Sequence, residues 1–237
     1  MLTPTQSPLS TEISFRFTTL AKTLSIPPLL AHSTSQFIAN AYSEPQRHYH
    51  TLTHIQDMFS RLDEIRLGVE NREAVELAIF FHDVVYDPVR GAPWNEEESL
   101  RAWEEFIYSA RPHLVNSFRI LDHLRTPVSS LILATISHKI PSSLPPSLSV
   151  TDLKIFLDLD LFVLASPPTV YQQYASNIRR EYKHVPAEAY REGRAQVLRK
   201  FLERERLFFG EGIEEMERVA RKNLRGELKR LEEEGGV

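Results

Sequence analysis

An all-α fold is predicted by three features of this 237-residue chain. Apolar residues recur at helical spacing through most of its length. Glycine is scarce, with eight residues, and the alternating β-branched runs that build strands are almost absent. A hydrophobic content of 42% supports a sizeable core, and the length allows one substantial domain or two small ones. No internal repeat or linker is visible. The simplest organisation is a disordered tail over 1–10, one helical domain over 11–210 and a charged C-terminal helix over 211–237.

The first helix is expected over 11–24 and the second over 31–43, ended by Glu44-Pro45. From Tyr49 to Leu67 the residues Leu52, Ile55, Phe59, Leu62 and Ile65 recur at helical spacing, and Gly68 is a C-terminal stop. Asn71 to Val85 reads as a strongly buried helix broken at Asp87-Pro88. Asn95 is the expected cap of a helix running to Ser109. Two shorter helices follow, over 114–124 and 128–139, and another spans 151–164. Amphipathic helices are expected over 169–183 and 186–209. The final segment carries a narrow stripe, Ile213, Met216, Ala220, Leu224, Leu228 and Leu231, amid dense charge. It is expected to lie on the surface or to meet a partner.

A net charge of -4 gives no basic footprint for phosphate backbones, so nucleic-acid binding is not expected. No run approaches 18 apolar residues, so no membrane span is expected. With no cysteine, any transition metal must use imidazole and carboxylate ligands. The cysteine-free chain fits a reducing compartment, and the expected location is the cytoplasm. The hydroxyl-rich first 35 residues, with Glu12 their single acid, make mitochondrial import the minor alternative.

The chemistry-bearing residues start with His82-Asp83, at the end of the apolar run Ala74–Phe81. A desolvated carboxylate costs several kcal/mol unless it is paired or coordinates a cation. A metal site is therefore weighed against a capping Asp beside a core His. Arg47, His50 and His54 stand at i, i+3 and i+7, on one face of any helix that already includes Arg47. Such a face suits a phosphate and a metal, or simply solvent. Asp158 and Asp160 point about 200° apart on a helix, so one ion cannot easily use both. Asp160 has Phe156, Leu157, Val163 and Leu164 around it, whereas Asp158 has Lys154 as a partner; Asp160 is the better inward ligand. His138 continues an apolar face. Acidic residues in Asn95-Glu96-Glu97-Glu98-Ser99 suit a helix first turn. Arg179 and Arg194 could hold a phosphate or pair with an acid such as Glu181.

The ordered series His…His-Asp…Asp on an all-α background resembles the HD-domain metal-dependent phosphohydrolases. The strings Arg47-His48-Tyr49-His50-x-x-x-His54-Ile55, Phe81-His82-Asp83-x-Val85-Tyr86-Asp87 and Asn95-Glu96-Glu97-x-Ser99 resemble the predicted HD-superfamily phosphohydrolases of bacteria and fungi. So do Asp158-x-Asp160-Leu161, Tyr171-x-x-Tyr174, Ile178-Arg179-x-Glu181-Tyr182 and Gly193-Arg194-x-x-Val197-Leu198. The match runs from about Arg47 to Phe209, with Leu100 a small departure where that group often has Ala.

The resemblance implies an HD-domain-like helical bundle with the metal site in its core, and ligands His54, His82, Asp83 and Asp160. The Tyr-His-x-x-x-His string is also similar to the motif of cyclic-nucleotide phosphodiesterases. That similarity implies His50 as general acid and Arg47 as a phosphate contact. It leaves His138 and Glu97 as weaker candidates for a second metal, substrate contact or water positioning, and Arg179 and Arg194 as weaker substrate contacts. The implied cofactor is a divalent cation (Mn, Fe, Co, Ni, Zn or Mg), and Asp57 or Asp63 is a candidate to orient a ligating His. The expected activity is hydrolysis of a small phosphorylated substrate such as a nucleotide. Its alternatives are nucleotide sensing without turnover, or a helical scaffold recruiting a partner. The C-terminal stripe permits a homodimer.

Overall fold

The computed structural model describes residues 7–65, 68–111, 118–210 and 212–235. Among them are ten α-helices and no strand, as the periodicity predicts. The chain divides into two compact units between Leu153 and Lys154, inside one continuous helix. This differs from the expected boundaries at 11–210 and 211–237.

In the first unit, α1 (Pro8–Thr23) begins inside the expected tail, because Ser7 Oγ accepts from the Ser10 amide at 3.2 Å. Residues 1–6 lie outside the described residues. Helix α2 (Pro28–Ala41) starts on a proline, whose missing N–H has no intrahelical partner to lose there. Helix α3 (Leu52–Glu64) is capped by Thr51, and α4 (Arg72–Phe81) by Asn71, whose Oδ1 accepts from Ala74 N at 3.0 Å. Ala74, Val75 and every residue from Leu77 to Phe81 are buried, so α4 is apolar on nearly all sides and packs against α3, α5 (Trp94–Ala110) and α6 (Phe118–Ala134). Edge-on and tilted rings of Phe17, Phe59, Phe80, Phe81, Trp103 and Phe106 fill the space around it.

Two helices expected over 114–124 and 128–139 are instead one, α6 (Phe118–Ala134), with Pro127 inside it. Proline removes one backbone bond from a helix interior. Here Leu121, Leu124, Val128, Leu131 and Ile132 form a single buried stripe across the proline, and their burial outweighs that loss. Helix α7 (Val150–Leu161) starts in this unit. Its Asp152 carboxylate accepts from the Glu70 and Asn71 amides at 2.8 and 2.9 Å, closing the loop that precedes α4.

The second unit holds the rest of α7, a 3₁₀ turn over Phe162–Ala165, α8 (Pro168–Glu181), α9 (Ala187–Leu202) and α10 (Glu214–Gly235). The C-terminal helix, expected at the surface or against a partner, contributes to the core of this unit. Ala220 and Leu224 are wholly buried beside Leu198, Leu207 and Phe208, and Ile213, Met216, Leu228 and Leu231 pack against them. A narrow apolar stripe suffices because a buried polar cluster extends it. Glu227 accepts from Tyr171 Oη and from Arg194 Nε at 2.8 Å, while Asn223 Nδ2 donates to the Leu164 and Ser166 carbonyls at 2.9 Å. No helix among the described residues is long and apolar enough to cross a membrane.

Two measurements test these contacts. Asp63 accepts from Arg16 at 2.7 Å and also pairs with Arg72, joining α1, α3 and α4. The Arg16 hydrogen bond is the main cause holding the Asp63 carboxyl below its ordinary range. Its stabilisation is therefore complete above about pH 4 and disappears as pH falls through the lowered value. Asp63→Asn is expected to cost up to about 1 kcal/mol at pH 7, since the carboxylate is half exposed. In unfolding curves the difference from wild type should shrink and close as pH falls through that lowered value. Glu227→Ala strands a buried guanidinium and is expected to destabilise by about 3 to 5 kcal/mol, read from denaturant midpoints.

Candidate metal centre

The segment before α3 is a series of turns and does not form the helix that would have placed Arg47, His50 and His54 on one face. Thr51 caps α3, so His54 sits in its first turn and His50 just outside it. Arg47, expected at a phosphate, is fully enclosed, with a side-chain exposure of 0%. Its Nη1 donates to the carbonyls of Asp83 at 2.6 Å and His50 at 3.3 Å, its Nη2 to Val84 O at 2.9 Å and its Nε to Glu44 at 3.0 Å. The guanidinium thus acts as a strut between the two segments that carry His50 and Asp83. Tyr42 and Tyr86 rings lie 5.1 and 5.4 Å from it.

Helix α4 ends at Phe81, earlier than expected, with His82 as its C-cap and Asp83 in the following turn. The His82 imidazole is buried, and its Nδ1 lies 3.0 Å from the Ile79 carbonyl. A carbonyl only accepts, so Nδ1 is the donor of that contact, and whenever the ring is neutral Nε2 presents a lone pair. That lone pair faces Nε2 of the buried His54 at 3.2 Å. Two nitrogens each about 2.1 Å from one ion, at bond angles of about 90° to 109°, lie about 3.0 to 3.4 Å apart. The observed spacing fits the edge of such a polyhedron. Of the two acids expected to orient a ligating His, Asp63 is engaged by Arg16 and Arg72. Asp57 is the one that feels His54; burial raises its pKa, and the His54 and Arg61 charges oppose the rise.

Asp160 lies in the last turn of α7. His54, His82 and Asp160 form a group that could hold a metal ion: each offers one ligand atom, and these lie within 4.8 Å of one another. The fourth expected ligand, Asp83, has its Oδ2 3.2 Å from His82 Nε2 and 4.0 Å from His50 Nε2. His50 is stacked on Tyr86, with ring centroids 4.3 Å apart, and keeps 20% of its side chain exposed. Asp158 takes a different partner from the Lys154 expected: its carboxylate accepts from the amides of Phe209 at 2.8 Å and Gly210 at 2.8 Å.

Helix α5 braces the turn after His82-Asp83. Asn95 does not cap the helix, which starts at Trp94; its Oδ1 accepts from Asp87 N at 2.8 Å. Ser99 Oγ accepts from Val85 N at 3.1 Å. Glu97, the expected site residue, is exposed, and its neighbour Glu96 faces inward instead. Glu96 Oε2 is buried without a hydrogen-bond partner, and burial raises its pKa, with Asp83 adding to the rise and His138 and His82 opposing it. Sequence reasoning missed Glu96, although a signal existed. At about 100° per residue, Glu96 lies about 65° from the centre of the face defined by Asn95, Ser99, Trp103 and Phe106, whereas Glu97 lies about 165° away.

His138 follows the end of α6 in a left-handed conformation (φ 48°) and is half-buried, its amide bonded to Ala134 O at 2.9 Å. Arg179 donates to the Tyr182 and Val185 carbonyls at 2.7 and 3.2 Å, closing the end of α8. Arg194 pairs with Glu227 and not with Glu181. Both arginines expected at substrate therefore hold the second unit together. Searches of protein-family models, curated proteins and solved structures found no match to this chain.

Arg47→Met retains much of the side-chain volume but strands buried carbonyls at His50, Asp83 and Val84. It is expected to destabilise the chain by about 3 kcal/mol or more, read by chemical denaturation, and to weaken zinc or manganese uptake in equilibrium dialysis.

Proposed function

We propose that this chain is a metal-dependent phosphohydrolase of the HD type, acting on a nucleotide or a related small phosphorylated metabolite. The observation that carries the reading is the pair of buried imidazole nitrogens facing each other at 3.2 Å, with the His82 tautomer set by Ile79. A lone-pair nitrogen, a second imidazole and a carboxylate within one small volume form a sulfur-free donor set for a divalent cation. Such a cation, when bound, supplies a Lewis acid for the phosphoryl oxygen and lowers the pKa of a bound water.

The side chains around it have separable tasks. His54, His82 and Asp160 bind, and Asp83 adds negative charge beside His82. His82 and Asp83 follow the C-terminal end of α4, where unpaired carbonyls also favour a cation. His50, partly exposed and stacked on Tyr86, donates a proton to the leaving oxygen. Glu96, whose burial raises its proton affinity, orients the attacking water and, as the carboxylate, receives its proton. Arg47 positions the backbone of His50 and Asp83 from behind.

One observation favours nucleotide sensing without turnover as the second reading. Arg47, Arg179 and Arg194, the cations expected at a phosphate, are all engaged in bonds within the protein. A metal-reconstituted screen over nucleoside mono-, di- and triphosphates and cyclic nucleotides, with Mn, Co, Ni, Zn or Mg, separates the two. The hydrolase reading expects phosphate release that His82→Ala abolishes together with metal content. His50→Ala should lower kcat by about 10² to 10⁴-fold with the metal retained. Tight nucleotide binding with no release from any substrate selects the sensor, and neither binding nor release rejects both.

A further inference from the structure

The second unit contains a cleft of about 480 Å³ walled by α8, α9 and α10. That volume suits a small metabolite. Every residue lining it lies in the second unit, and none of His50, His54, His82 and Asp83 is among them. Three arginines line it: Arg179 from α8, Arg191 from α9 and Arg230 from α10.

These cations differ in what they already hold. Arg179 is stacked 4.5 Å from the Tyr190 ring and bonded to two carbonyls, so it contributes charge more than donors. Arg191 and Arg230 take part in no hydrogen bond or ion pair among the described residues. Elsewhere in this chain surface arginines pair with carboxylates, as Arg199 does with Glu232 and Arg221 with Glu217. Of the two acids in the cleft wall, Glu227 is already neutralised by Arg194, leaving Glu234 against three guanidiniums. The cleft is therefore cationic, and two of its forks have unused donors. Arg191 reaches from α9 to within 3.9 Å of the position a side chain on Gly235 of α10 would occupy, so the two helices share this wall. Gln172 and Ser176, one turn apart on α8, add neutral donors with no partner among the described residues.

We propose that this cleft is a binding site for a small phosphorylated anion, held by the guanidinium forks of Arg191 and Arg230 with Gln172 and Ser176 completing the donor set. Arginine forks match phosphate oxygens in bidentate geometry, and the partly apolar wall around Tyr190 leaves room for the rest of a nucleotide. The site is independent of the hydrolase reading, since it uses none of the candidate ligands.

The test is calorimetric titration of the full-length chain with inorganic pyrophosphate and, separately, with ADP. Chelator removes the contribution of any metal, and about 100 mM salt screens non-specific attraction between the anion and surface charge. Saturable binding is expected, weakened about tenfold or more in Arg191→Gln/Arg230→Gln and unchanged in His82→Ala. Neither arginine has a partner to lose, so the double variant should melt at the wild-type temperature. Ser176→Glu, an exposed position, provides an independent second variant and should also suppress binding by placing a negative charge in the cleft. Tighter binding of ADP than of pyrophosphate identifies a nucleotide as the source of the phosphate group, and equal binding identifies the phosphate group alone. No saturable binding of either probe, or binding that survives the double substitution, overturns the proposal.

Discussion

The candidate centre depends on one buried cation. The Arg47 side chain has no solvent contact, and an enclosed guanidinium is tolerated only where its donors are met. They are met by Glu44 and by the carbonyls of His50, Asp83 and Val84. One side chain therefore fixes the backbone of two segments more than thirty residues apart. The His50 and Asp83 side chains project from those segments, so their 4.0 Å approach follows from a bond network behind them.

Side chains that meet backbone groups recur at three other turns. Asp152 receives the amides of Glu70 and Asn71, Asn95 and Ser99 receive those of Asp87 and Val85, and Asp158 receives those of Phe209 and Gly210. Irregular segments have no ladder of their own for their polar groups, and a buried amide without an acceptor is costly. Polar side chains from neighbouring helices supply those acceptors. The irregular segments become as well defined as the helices, which a site built partly on turns requires.

Burial also sorts the acids by role. Asp63, half exposed and bonded to arginines, is held in its charged form, and Glu227 is neutralised by Arg194. Glu96 has an enclosed oxygen with no hydrogen bond beside two imidazoles and another carboxylate. A group held in that state contributes little to folding, and its chemistry becomes useful once substrate or a cation changes the local charge.

Much of this architecture was legible in the residues themselves. Helix existence, the buried character of Ala74–Phe81, the inward placement of His82, and the choice of Asp160 over Asp158 all rest on relationships within a few residues. Periodicity and capping act at that range. Only the tertiary structure decided that Pro127 stays inside a helix, that Asn95 receives Asp87 instead of capping, that Arg47 binds carbonyls and that the charged C-terminal helix joins a core. Each of these depends on a partner distant in sequence or on a packed face. Local pattern carries no information about which distant group will satisfy a buried charge.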